Sequence, residues 1–214
     1  MPVPIVYRSG GDAVASYNWL DLASGCGYKR YYACISGISS GDLYLLTPES
    51  LVSYPSIIVS SVNNTAYATL ADKDFDITFK KSAYIQGDVY VNVAHRIDAL
   101  IAARTCYANI KILVYHYNGS VETLIGSAIS ALRYNDAAAT PKYFKECIKV
   151  VCSGKQFSNG DILRITIQHC GFYTGGAGEI KLFIDPDGGN TYTDVDGRTI
   201  NTTLSIDVPF KVDL

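Results

Sequence analysis

Three histidines, six cysteines and an aspartate-rich loop are the residues of this 214-residue chain with the chemistry to hold a metal or attack a substrate. Each histidine ends an apolar alternation. His95 follows Val89, Val91 and Val93; His116 follows Ile110, Ile112 and Val114; His169 follows Ile165 and Ile167. A metal held inside a β-barrel would need these side chains to converge. Neighbouring antiparallel strands end at opposite edges of a sheet, so three strand-end histidines meet only if none of their strands are neighbours. No His-x-His pair with a following Glu is present either. The expectation is three core or rim histidines and no metal. The cysteines (Cys26, Cys34, Cys106, Cys147, Cys152, Cys170) contain no Cys-x-x-Cys pair, so they read as free buried thiols acting as small hydrophobes, with a disulfide as the alternative.

The loop runs Asp185-Pro-Asp187-Gly-Gly-Asn190 and then Asp194-Val-Asp196-Gly197. Oxygen ligands at alternate positions, relieved by Gly, suit Ca²⁺. An EF-hand is excluded, because Gly189 occupies the fifth position and no glutamate stands at the twelfth. Asp185, Asp187, Asn190, Asp194 and Asp196 are therefore a calcium candidate beside the plainer reading of a solvated hairpin loop. No other cofactor is expected. Nucleophilic catalysis lacks a Gly-x-Ser-x-Gly elbow, and Cys170 beside His169 would point to the opposite face of a strand. Glycoside hydrolysis needs two carboxylates facing one cleft. Glu49, Glu122, Glu146 and Glu179 fall near strand edges or at solvent-facing positions. The chain is not expected to be an enzyme.

Aromatic residues crowd the first third of the chain: Tyr7, Tyr17, Tyr28, Tyr31, Tyr32, Tyr44 and Tyr54, with Trp19 the sole tryptophan. Trp19, Tyr28, Tyr31 and Tyr32, the last three flanking Lys29 and Arg30, are the candidate interface residues, since Tyr, Trp and Arg are enriched at protein contacts. The alternative is that they fill the core.

The elements that must position these residues are strands. Seventeen Tyr, seven Phe and many Val, Ile and Thr suit a pleated, half-buried surface, and 18 Gly with seven Pro supply turns. Apolar Leu204, Ile206, Val208, Phe210, Val212 and Leu214 alternate with Ser205, Asp207, Pro209, Lys211 and Asp213, which predicts a strand with one buried face. Pro209 cannot donate to a ladder, so that strand lies at an edge or breaks there. Similar alternation covers 74–80, 89–94, 110–115, 121–129, 143–151, 161–169 and 179–184, and Asn118-Gly119 marks a hairpin. Ser82–Gly87 reads as a turn or as a bend in one long strand. Tyr31–Ile38, Leu43–Leu46 and Ile57–Ser60 read as further strands, and Ile97–Thr105 as a loop or a turn or two of helix. The expected fold is all-β, an antiparallel two-sheet jelly-roll-like β-sandwich. One domain is expected over 1–214, with a regular core from about 30 and residues 1–28 as an N-terminal arm.

A formal net charge of −2 without a basic run argues against nucleic acid, and no apolar run reaches the ~20 residues that span a bilayer, so no membrane partner is expected. Met-Pro-Val-Pro-Ile-Val-Tyr-Arg does not read as a signal peptide, so folding in the cytosol of the producing cell is expected. Phe157-Ser-Asn-Gly160-Asp161-Ile-Leu163-Arg-Ile165 is similar to the Phe-x-x-Gly-Asp-x-Leu entry into a late strand of many jelly rolls. The closing Asp207-Val-Pro-Phe-Lys-Val-Asp-Leu214, with Asn18-Trp19 and Gly25-Cys-Gly27-Tyr28, resembles small virion proteins of tailed bacteriophages. That resemblance covers three short stretches, carries over no catalytic residue, and implies a capsid-associated or fibre-associated structural protein. The expected function is thus a virion structural protein, assembled in the host cytoplasm, a capsid or decoration jelly roll whose partners are copies of itself and other virion proteins. The alternative is a carbohydrate- or receptor-binding module such as a fibre head.

Overall fold

The computed structural model describes residues 26–38, 41–48, 56–101, 104–138, 140–185 and 190–211. Every regular element among them is a strand. Eight strands form the frame: β3 (Ser56–Val62), β4 (Ala68–Thr78), β5 (Ala83–Ala99), β6 (Cys106–Tyr117), β7 (Glu122–Ile129), β9 (Lys142–Phe157), β10 (Ile162–Tyr173) and β11 (Gly178–Ile184). They pair in the orders β3-β11-β5-β9 and β4-β10-β6-β7. This is jelly-roll topology, in which strands adjacent in space are distant in sequence and the chain passes repeatedly from one sheet to the other.

The remaining strands extend the frame. β1 (Cys26–Ile38) and β2 (Gly41–Thr47) form a hairpin, and β14 (Ser205–Lys211) lies between β1 and β5. β5 is long enough to serve two neighbours on one edge: His95–Ala99 pairs with β11, and Ile85–Asn92 with β14. β2 then meets β4 at a single parallel bridge, Leu45 to Asp76, so the antiparallel expectation fails at that one point between named strands. β8 (Arg133–Asn135) pairs with β6, while β12 (Thr191–Thr193) and β13 (Thr199–Asn201) form a separate small hairpin.

Alternation explains the core. Val89, Val91 and Val93 of β5, Ile148 and Val150 of β9, and Ile206 and Val208 of β14 face Phe75 of β4, Ile110, Ile112 and Val114 of β6, and Leu163, Ile165 and Ile167 of β10. All are buried, and each large aliphatic side chain contributes about 1.5–3 kcal/mol on burial. The interior between the sheets is packed with hydrocarbon.

Two expectations change. Residues 26–28 are not part of an arm: Cys26, Gly27 and Tyr28 pair with Lys211, Phe210 and Pro209; residues 1–25, and Val212–Leu214 at the other end, lie outside the described residues. Ile97–Ala99 continues β5 instead of turning into helix, because Ile97 and Ala99 keep the inward phase. For Pro209 the second of the two expected alternatives holds: its strand is interior and breaks locally there. The β14–β5 register shifts between Asp207 and Phe210, and Gly87, at φ 114°, lies opposite, where an added Cβ would stand 3.7 Å from the proline ring.

Candidate functional site

The sequence candidates divide between surface and core. In β1 the odd positions turn inward. Tyr31 is buried in the main core, burial pushes its hydroxyl pKa well above the ordinary range, and Lys29 lies 5.4 Å from its ring centroid. Tyr31 is therefore a core residue in this fold, not part of a docking surface. Tyr28 and Tyr32 flank Arg30 on the outer face. Tyr28 is 36% exposed and tilts against Tyr90 at 6.0 Å. The Arg30 guanidinium engages both oxygens of Asp207, at 2.7 and 2.8 Å, across the β1–β14 pair. Trp19 lies outside the described residues.

In the aspartate loop the carboxylates do separate work. Asp185 is buried, and its Oδ2 accepts from Thr202 Oγ1 at 2.5 Å and from the Asn190 backbone N–H at 3.2 Å, tying the segment after β11 to the sheet. Asp194 Oδ1 accepts from the backbone N–H groups of Asp196 and Arg198 at 3.0 and 2.8 Å, closing the β12–β13 turn. Asp187 lies outside the described residues. Among the described residues no three His, Cys, Asp or Glu side chains are placed to hold one metal ion.

The histidines occupy both ends of the interior. His116 lies opposite Leu163 on β10, whereas His169 of β10 lies opposite Ile110, so these two are a strand length apart. His116 Nε2 donates to Asp161 at 2.7 Å, and its ring meets Phe157 edge-on. The same carboxylate accepts from the Ser158 N–H at 2.7 Å, and Gly160 takes φ 93°, so the Phe157–Asp161 stretch forms the expected turn. His116 first, then that N–H, lowers the Asp161 pKa from its ordinary value.

His95 and His169 share the other end. His169 Nδ1 and Ser60 Oγ share a 2.6 Å hydrogen bond that links the two sheets. Burial, with His95 and Lys73 adding to it, pushes His169 down to about 3. His95 stacks on Phe144 at 5.2 Å, and its Nε2 stands 3.5 Å from Glu146 Oε2. Glu146 corrects its expected solvent-facing placement: it is buried, and its other oxygen accepts from Arg133 Nε at 2.7 Å. Burial opposes its ionisation, but His95 and Arg133 hold the carboxyl down at about 2. Its in-phase spacing with Ile148, Val150 and Cys152 was the available signal. Among the described residues, both His95 ring nitrogens, His169 Nε2 and Glu146 Oε2 are buried without a hydrogen-bond partner.

On the outer face of the second sheet a polar ladder joins β4 to β10. Asp76 takes a two-point contact from Arg164 at 2.8 and 2.7 Å, Asp74 accepts from Thr166 at 2.6 Å, and Asp72 from Gln168 at 3.1 Å. Apolar side chains stand exposed nearby and at the sheet ends: Ile57 and Val59 on β3, Leu124 and Ile129 on β7, and Val151 on β9. Two open clefts of about 350 and 360 Å³ lie on the surface, one beside Tyr67, Lys111 and Ile129, the other beside Tyr44, Ile57 and Lys73.

No protein-family model matches the sequence, and no curated protein matches it. Among solved structures, an aminopeptidase from the marine sediment archaeon Thaumarchaeota archaeon aligns over 88% of this chain, with TM-score 0.54 and 9% identity. The chain spans 37% of that aminopeptidase's length, and at this identity the likeness speaks for the fold alone. A CocE/NonD family hydrolase from Staphylococcus aureus covers 86% of the chain and is covered over 37%, at TM-score 0.44 and 10% identity. The structure of infectious bursal disease virus, Gx strain, covers 84% and is covered over 41%, at TM-score 0.32 and 15% identity. Neither of these last two carries weight for fold or function.

Proposed function

We propose that this chain is a virion structural protein, a capsid-associated or decoration jelly roll that works by associating with copies of itself and with a protein lattice, without catalysis. Fold alone does not assign function, so the reading rests on where the chain spends its apolar side chains. The carrying observation is a hydrocarbon-packed interior combined with apolar residues left outside: Ile57 and Val59 at one sheet edge, Leu124 and Ile129 at another. Side chains so placed gain from burial against another protein surface. The resemblance of the Asp207–Leu214 and Gly25–Tyr28 stretches to tailed-phage virion proteins points the same way. Assembly in the host cytoplasm and partners within the particle follow from that reading.

The test is the mass of the purified protein in solution across a wide concentration range, with quantitation of the chain in purified particles. A discrete homo-oligomer and a stoichiometric particle-bound population are expected. A monomer at every concentration that is missing from particles overturns the proposal. Carbohydrate recognition is a second reading, favoured by Tyr107 and Phe172, stacked at 4.6 Å, with the exposed Tyr134 ring 6.0 Å from Tyr107. Saturable binding on a glycan array by a monomeric protein would select it.

A further inference from the structure

Among the described residues, the edge strand β3 is open and unguarded. It pairs with β11 over seven unbroken positions, Ser56 to Val62, and among the described residues nothing pairs with its other edge. That edge presents backbone N–H and C=O groups that only another extended strand satisfies in a ladder. Natural edges are usually blunted by lysine, proline or a bulge. The run Ser56-Ile-Ile-Val-Ser-Ser-Val62 has none of these. β7, at the far end of the strand order, is different: its register with β6 is bulged, and Gly126 lets it lean onto β9.

Resting on the assembly reading above, we infer that two copies of this chain join edge to edge through β3, antiparallel about a two-fold axis at Val59. Ile58, Ser60 and Val62 face the protein's own interior, so Ile57 (47% exposed) and Val59 (51% exposed) are free to meet a neighbour. A two-fold at Val59 sets the two Val59 side chains together and places Ile57 opposite its counterpart Ser61, a self-complementary match with no like charges opposed. The flanking charges on β11 are already neutralised. Lys181 Nζ lies 2.9 Å from Asp98 and 3.0 Å from Glu179, so that lysine brings no unpaired charge to the contact. The cleft bounded by Ile57, Val59, Tyr44 and Lys73 leaves space beside the strand for an incoming backbone, which in a sheet lies about 4.8 Å away.

Val59→Cys in a Cys147→Ser background, which removes the one thiol that is exposed among the described side chains, tests the contact. Directly opposed positions bring Cβ atoms within about 4.5–5.5 Å, close enough for a disulfide after modest adjustment. Mild oxidation is expected to yield a covalent dimer, with peptide mapping placing the link between two copies of position 59. Val151→Cys, at a position more exposed than Val59 but on β9, is expected to remain monomeric on the same gel. Val59→Lys is expected to shift the native mass downward while the far-ultraviolet spectrum stays unchanged; if that variant fails to fold, the cross-link decides. A parent that self-associates, with a position-59 thiol that does not cross-link, disproves the β3 contact and leaves assembly through another surface standing. A link from position 59 to another thiol of the same chain also disproves it. A parent that is monomeric throughout disproves the β3 contact, and one that is also missing from particles removes the assembly reading itself.

Discussion

His169 shows how one buried side chain sets a pH limit. The unfolded chain takes up a proton near the ordinary histidine value of 6.5, whereas the folded chain resists it until about 3. The unfolded state therefore binds more protons in that window, so stability is full above pH 6.5 and declines as pH falls toward 3. Each unit corresponds to about 1.4 kcal/mol, so His169 accounts for a loss of about 3 kcal/mol between pH 6.5 and 4. Glu146, held at about 2, adds its own loss only once the pH falls below its ordinary value of 4.5. Urea unfolding at pH 7.5 and pH 4 checks this. His169→Gln, which keeps a polar partner for Ser60 but does not titrate, should flatten the acid loss by that amount. An equal loss in parent and variant would take His169 out of the account.

At the scale of elements, the close approach of β7 to β9 depends on a missing side chain. A Cβ on Gly126 would stand 2.8 Å from both the Val151 carbonyl oxygen and Cys152 Sγ, and 2.9 Å from Val150. Backbone cannot yield as a flexible side chain can, so Gly126→Ala must push the strands apart. Overpacking of this kind costs about 1–3 kcal/mol, and the midpoint of chemical unfolding should fall accordingly. Unchanged stability would mean that β7 and β9 are not held in contact. β14 follows a related logic. Pro209 was legible as a defect in a ladder, and the register shift opposite Gly87 absorbs it, which lets Ile206 and Val208 reach the core from an interior strand.

At the scale of the molecule, β5 couples the jelly roll to the β1–β2–β14 extension, since one strand edge serves both β11 and β14. The main core likewise draws Tyr31, Ala33 and Ile206 from the extension together with Val91, Ile112 and Ile165 from the frame. A shared core predicts a single cooperative transition. Far-ultraviolet circular dichroism, which reports the sheets as a whole, and the backbone amide resonances of β1, which report the extension, should give superimposable unfolding curves. Two separated transitions would mark the extension as an independent unit.

Strand identity was legible because alternation is local: Val89, Val91 and Val93, or Ile110, Ile112 and Val114, declare a buried face whatever lies across from them. The Asn118-Gly119 and Gly160-Asp161 turns were legible for the same reason, since their backbone demands are met by the residues themselves. The inward phase of Glu146 was readable too, yet a carboxylate at a core position makes sense only once Arg133 and His95 arrive from other strands. Tyr31 and Tyr32 look alike in sequence, and only the pairing of β1 with β14 and β2 turns one in and the other out. Composition and period establish that this chain makes sheets with apolar faces. Which strands become neighbours, which edge stays open and which histidines share a core depend on contacts between residues far apart in the chain, and those exist only after the two sheets close on each other.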